Sequence, residues 1–159
     1  MTIRFLLLPP SGAMPNHPRL PVRLYRTLTT AEGAPFDARA FEHRFAAHGW
    51  PPGWRGGMYP FHHYHSTAHE VLGIASGRAC VLLGGPDGES IDVAAGDALL
   101  LPAGTGHCCV QADADFNMVG AYADGRPWDV ARAAPDAAMR ERIRTLPDPL
   151  RDPVTGEPF

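Results

Sequence analysis

Between Gly57 and Gly77 the chain reads GMYPFHHYHSTAHEVLGIASG, and five of these twenty-one residues are imidazoles or the carboxylate beside them. Such a stretch constrains the backbone strongly, because histidines two residues apart share a face only where side chains alternate, as they do in a strand. Over a strand from 59 to 65, Tyr59, Phe61, His63 and His65 point one way, while Pro60, His62 and Tyr64 point the other. A turn over Ser66 to Ala68 and a second strand then return Glu70 beside the two inward imidazoles, with Leu72 and Ile74 continuing its face. A later stretch, GDALLLPAGTGHCCVQ from 96 to 111, leads an apolar strand through Pro102, Gly104 and Gly106 into His107, a candidate fourth ligand.

These two stretches resemble the two motifs of the cupin superfamily. The first motif's Gly, His-x-His, Glu and Gly are matched by Gly57, His63, His65, Glu70 and Gly77. The second is matched by Gly96, Pro102, Gly104 and His107, and departs only at its last position, where Gln111 stands in place of asparagine. Together they span Gly57 to Gln111, roughly a third of the chain, and a match at so many fixed positions is specific. The resemblance implies an all-β jelly-roll barrel and one divalent transition metal ion (Fe, Mn, Ni or Zn) held by His63, His65, Glu70 and His107. It extends most closely to small bacterial cupins without an assigned role, and it implies no substrate, since one scaffold serves many chemistries.

The rest of the chain is consistent with one domain over residues 1–159, a length sufficient to bury a core without disulfides. Around the motif core at 57–111 stand an N-terminal strand-helix extension over 1–56 and a C-terminal helix and tail over 128–159. A formal charge of -3 offers no basic surface for nucleic acid or anionic membrane. All fourteen basic residues are arginine, so Schiff-base chemistry and a lysine base are excluded within this chain. Three cysteines and no signal-peptide pattern point to a reducing cytoplasm, and no apolar run reaches membrane-spanning length.

Ile3 to Leu8 and Pro21 to Leu28 read as short strands near a sheet edge, separated by proline-rich loop. Ala38, Phe41, Phe45 and His48 fall on one helical stripe over 37–48, which Gly49 is placed to end. Trp50 to Trp54 then reads as an aromatic-rich turn packed outside the barrel, the alternative being that Trp50 or Trp54 stacks on a ligand. Strands follow over 78–84, 91–94, 98–101 and 116–122, with a hairpin turn at Gly84 to Gly88. A terminal helix is expected over 135–145, stopped by Pro147 and followed by an extended tail.

Three neutral imidazoles and one carboxylate around a divalent ion leave a net charge of about +1 and, on a six-coordinate ion, two open positions. By parity His62 and His69 face away, but a turn displaced by one residue would put His69 where Glu70 stands. Tyr59 and Gln111 share the inward face as substrate-binding candidates, and Cys109 lies inward as a small core residue. Two function classes remain. One is a mononuclear metal-dependent dioxygenase or isomerase acting on a small polar organic molecule, with Glu70 as catalytic base. The other is a non-catalytic module that binds a metal or a small molecule. A homodimer is expected in either case, through strands or exchanged termini.

Overall fold

Apolar runs cut every few residues by glycine or proline leave little room for helices, and the computed structural model of residues 1–159 has nine strands against two α-helices. The strands are β1 (Thr2–Leu6), β2 (Val22–Arg26), β3 (Pro52–Gly56), β4 (Glu70–Ser76), β5 (Arg78–Leu83), β6 (Glu89–Ala94), β7 (Ala98–Leu101), β8 (His107–Ala112) and β9 (Asn117–Tyr122). The helices are α1 (Ala38–Ala47) and α2 (Ala137–Thr145). Six strands form one antiparallel sheet in the order β1-β2-β7-β4-β9-β3, and three form a second, β6-β5-β8. The two ladders stay separate, so the expected closed barrel is resolved as an open two-sheet sandwich. No helix is long and apolar enough to cross a membrane.

The large sheet is covered on both faces, which explains why β7 is an unbroken apolar ALLL instead of an alternating strand. Its inner face sends Leu24, Leu72, Ile74, Leu99, Leu101 and Met118 against Val81, Leu83, Ile91 and Val93 of the small sheet. Its outer face presents Tyr25, Val71, Leu100 and Val119 to Phe41 and Phe45 of α1. The approach of α1 is so close that a Cβ on Gly73 of β4 would lie 2.4 Å from the Phe41 ring. Both helices begin as their sequences require: Asp37 caps Ala40 N–H at 2.9 Å and Asp136 caps Met139 N–H at 2.8 Å. Gly49, at φ +85°, supplies the left-handed residue just past the end of α1.

The two N-terminal strands lie at a sheet edge as expected, β1 pairing with β2 and β2 with β7. Two expectations change here. The aromatic turn is strand β3, paired with β9 at the sheet edge. Pro52 begins this strand, a position that needs no ladder N–H, and a register shift between Pro52 and Trp54 follows it. Trp50 is buried as expected, but Trp54 faces inward. Finally, residues 59–65 keep their alternation without forming a continuous strand. They are held by single bridges from His63 to His107 and from Tyr64 to Ala131.

The C-terminal tail is strapped onto its own chain over the outer face. Asp152, 2% exposed, is the anchor. Its carboxylate accepts hydrogen bonds from Tyr25 Oη (2.5 Å), Arg23 Nη1 (2.9 Å) and the amides of Val154 and Thr155 (both 2.8 Å). Trp50 Nε1 donates to Arg151 O and Arg44 Nη1 to Val154 O, each at 3.0 Å. Removing the carboxylate strands several buried donors at once. Asp152→Ala is therefore expected to cost about 3 kcal/mol in urea unfolding, with an unchanged far-ultraviolet spectrum at low denaturant.

Candidate metal centre

The open end of the sandwich brings the two histidine segments together through backbone pairing. His63 N–H donates to His107 O at 3.2 Å and His107 N–H to His63 O at 2.9 Å, so these rings meet with centroids 4.0 Å apart. His65 O accepts from Gly104 N at 2.7 Å, which draws the third ring in. The ligand nitrogens of His63, His65 and His107 lie within 4.8 Å of one another, and all three residues are buried. Each Nδ1 faces a backbone carbonyl: His63 that of Phe61 (2.9 Å), His107 that of Thr105 (2.9 Å), and His65 that of Asp129. These partners assign the proton to Nδ1 and turn each Nε2 lone pair toward the centre.

Glu70, the first residue of β4, closes the cluster. Its Oε2 stands 3.2 Å from His65 Nε2 and its Oε1 3.3 Å from His107 Nε2. Oε2 accepts the Tyr122 hydroxyl at 2.5 Å, whereas Oε1 is buried without a hydrogen bond of its own. Burial alone would raise the Glu70 carboxyl, yet His65 and His107 hold it well below the usual carboxylate range. Burial likewise opposes a proton on His65, and the adjacent Glu70 carboxylate outweighs it, so that ring is raised. His63 is pushed down to about 3 by burial and by His107. A carboxylate facing imidazole lone pairs is repulsive unless a cation stands between them, and in a buried site that cation is a proton or a metal ion. The donor set fits a metal: three imidazoles with Nδ1 anchored and Nε2 turned to the centre, and an orphaned carboxylate oxygen.

The surrounding wall was largely unseen in the sequence. Trp54 reaches the site because Gly120 of β9 has no side chain: a Cβ there would sit 2.2 Å from the indole. The Trp54 Nε1–H donates to Tyr122 Oη at 2.9 Å, completing a relay to Glu70. Trp128 stacks on Tyr122 with centroids 4.2 Å apart and planes 7° from parallel. Asp129 caps the amides of Ser66 (2.6 Å) and Thr67 (3.3 Å) while its own carbonyl holds His65. The strand parity that placed His63 could have flagged Tyr122, which follows Met118 and Gly120 on the inward face of β9. Nothing in the pattern announced Trp128 or Asp129, which arrive on a loop.

Of the substrate-binding candidates, Tyr59 lies at the cavity mouth, 52% exposed, stacked on Phe61 with centroids 4.9 Å apart. Gln111 does not reach the site. The register of β8 on β5 shifts between Cys80 and Val81, so that Cys80 pairs with Gln111 but Val81 with Cys109. This bulge breaks the parity on which the inward placement of Gln111 relied, and the residue ends exposed beside Cys80. Cys109 packs against the core, as expected, and all three thiols are free.

Two antiparallel sheets thus carry a buried three-histidine cluster that could hold a metal, with the Glu70 carboxylate beside it. The chain is 35% identical over 151 residues to the uncharacterised protein YjlB of Bacillus subtilis (strain 168), covering 94% of this chain and 88% of that one. It belongs to the same family as YjlB. No family model matches the chain. Among solved structures it is similar to procruciferin, the 11S globulin from Brassica napus, at 15% identity and a TM-score of 0.40. That match covers 74% of this chain and 29% of the globulin, so this chain spans less than a third of the globulin's length.

Two buried histidines stand outside the cluster. His69 does not replace Glu70: its Nδ1 accepts from Ala103 N–H at 3.0 Å and its Nε2 donates to Pro147 O at 3.1 Å. His17 Nδ1 accepts from the amides of Arg19 (3.1 Å) and Leu20 (2.8 Å), and the two rings lie 6.0 Å apart. Burial pushes both down to about 4 from their ordinary 6.5, with His69 adding to the effect at His17. The folded state therefore refuses protons that the unfolded chain accepts, and stability falls as pH drops from about 6.5 to about 4. Each ring contributes up to about 1.4 kcal/mol per pH unit in that window. Urea midpoints measured from pH 7 to pH 4.5 are expected to fall, and His17→Leu to make the decline shallower even where it lowers the midpoint at pH 7.

Proposed function

We propose that His63, His65, His107 and Glu70 hold one divalent transition metal ion (Fe, Mn, Ni or Zn), and that the chain, as one domain, is a mononuclear metal-dependent enzyme. The observation that carries this is the anchoring of all three Nδ1 atoms to carbonyls, which leaves three lone pairs beside an unpartnered Glu70 oxygen. An ion bound there would supply Lewis acidity or oxygen activation, the chemistry of a dioxygenase or an isomerase. The protein's own groups do the rest. Tyr122, whose hydroxyl burial and then Glu70 push far above its ordinary value, stays protonated and fixes Glu70 Oε2. That leaves Oε1 free to ligate or to take a substrate proton as catalytic base, while the Tyr122–Trp128 stack keeps water from one side.

The second reading is a binding module without turnover. It draws support from the same buried cluster, which is as suited to retaining a metal or a small ligand as to catalysis. A small-molecule ligand is the expected partner in both readings. A homodimer is part of the proposal, supported by β1 at the sheet edge, which leaves Ile3, Phe5 and Leu7 exposed. Three free thiols agree with a cytoplasmic setting.

His107→Ala is expected to reduce bound metal at least about tenfold by elemental analysis of dialysed protein, and unchanged metal content would defeat the proposed centre. Oxygen uptake by iron-loaded protein across a panel of small acids, thiols and diketones separates the two classes. Uptake with one of them supports the enzyme; tight binding without uptake or conversion supports the binding module.

A further inference from the structure

The cavity over the cluster has a volume of about 240 Å³, below the usual span of small-molecule sites, and eight of its thirteen lining residues are hydrophobic. Its floor is Leu72 and Met118, each 1% exposed, beside the histidines. Its rim is Tyr59, Trp128 and Val130, exposed by 52%, 43% and 46%, an apolar lip that a ligand would cover. Glu70 is the lining residue with a charge at neutral pH in its ordinary state, and no arginine or lysine lines the space. Arg132 lies outside the lining, its guanidinium 3.9 Å from the centroid of the Phe61 ring that stacks on Tyr59. Among the buried wall residues the side-chain polar hydrogens are already given away, Trp54 Nε1–H to Tyr122 and the Tyr122 hydroxyl to Glu70, which leaves the Tyr59 hydroxyl at the exposed rim.

Resting on the reading of this site as a metal centre, we infer that the cavity selects a compact, planar ligand that chelates through two oxygens, carries one negative charge, and has an apolar body. Three neutral imidazoles, one carboxylate and a divalent ion sum to about +1, which a single anionic charge neutralises. A second carboxylate or a phosphate held below the rim would meet neither a cation nor a free side-chain donor on the buried wall, and such burial is costly. The aromatic faces of Trp54, Tyr122 and Trp128 instead suit a flat conjugated body. This narrows the small polar substrate expected from the sequence to one whose polarity is confined to its chelating edge.

The test uses full-length protein loaded with nickel, which takes six ligands and so keeps two positions open beside four protein donors, and calorimetric titration with tropolone, a planar monoanionic O,O-chelator, and with malonate, a dianionic one. Each affinity is divided by that of the same ligand for aqueous nickel. Tropolone is expected to be favoured over malonate by about tenfold or more on this scale. Val130→Arg, a change on the exposed rim away from the ligating atoms, is expected to narrow that ratio by admitting a counter-charge for the second carboxylate. Stoichiometric nickel with equal or better corrected binding of malonate overturns the inference and leaves the metal centre standing. Stoichiometric nickel with no binding of tropolone does the same. Absence of bound zinc, iron, manganese and nickel by elemental analysis removes the metal centre, and this inference falls with it.

Discussion

Three hydrogen bonds from imidazole Nδ1 atoms to backbone carbonyls decide what this protein can be. Without them, buried histidines would rotate to satisfy themselves, as His69 does between Ala103 and Pro147. With them, the Nε2 atoms of His63, His65 and His107 are aimed at one point. The carbonyls belong to Phe61, Thr105 and Asp129, so the orientation of the site is written into the path of three loops and not into neighbouring side chains. Pairing between His63 and His107 fixes two of those loops relative to each other. The third is held by the Asp129 carboxylate on Ser66 and Thr67, and Arg142 of α2 braces it by donating to Ser66 Oγ at 2.9 Å. The C-terminal helix, remote from the three imidazoles, is thereby part of their support.

Glu70 is positioned by a different principle. It begins β4, a strand in the middle of a sheet buried on both faces, with β7 on one side and β9 on the other. Its register opposite Tyr122 and Leu101 is specified by the core, because a slip of one residue would turn Leu72 and Ile74 outward and drive Val71 inward. The missing side chain of Gly120 then lets Trp54 lie over β9 and reach the Tyr122 hydroxyl. One absent methyl group thus connects sheet packing to the hydrogen bonding of the carboxylate. The centre is asymmetric in consequence: Glu70 and His107 each begin a strand, while His63 and His65 come from a segment held by isolated bridges and a few bonds.

Much of this was legible in the chain. Alternation placed His63, His65 and Glu70 on a common face, and the glycine and proline spacing before His107 brought the second segment to them. The apolar stripe over 37–48 with Gly49, and the proline-led segment 135–145 with Pro147, gave the helix limits to within two residues. What escaped had identifiable causes. The parity of Gln111 was broken by a bulge, and a bulge leaves no mark in a run such as HCCVQ. β3 was hidden because tryptophan, proline and glycine are read as turn formers, while at a sheet edge proline is tolerated and tryptophan packs well. The closed barrel was an inference from likeness, and the ladder pattern separates it into two sheets. Trp128 and Asp129 were invisible because loops carry no periodicity, so their arrival at the site depends on the whole fold.

The cavity also shows why a buried cluster of this kind need not advertise its ligand through charged residues. In a wet, polar pocket, recognition requires a partner for each anionic group of the ligand, and such partners are visible as arginines or lysines. Here the wall of Trp54, Leu72, Met118, Tyr122 and Trp128 offers area instead of charge, and the polar work is concentrated at one edge, on the histidines and Glu70. Selectivity in such a site comes chiefly from exclusion: a ligand with a second charge loses its water and gains nothing in return. The same wall lowers the local dielectric around Glu70, which strengthens its interaction with whatever cation stands between it and the imidazoles. An apolar enclosure and a tightly held charge at its base are therefore one design, and the side chains that define the ligand are also those that make the carboxylate's partner hard to replace.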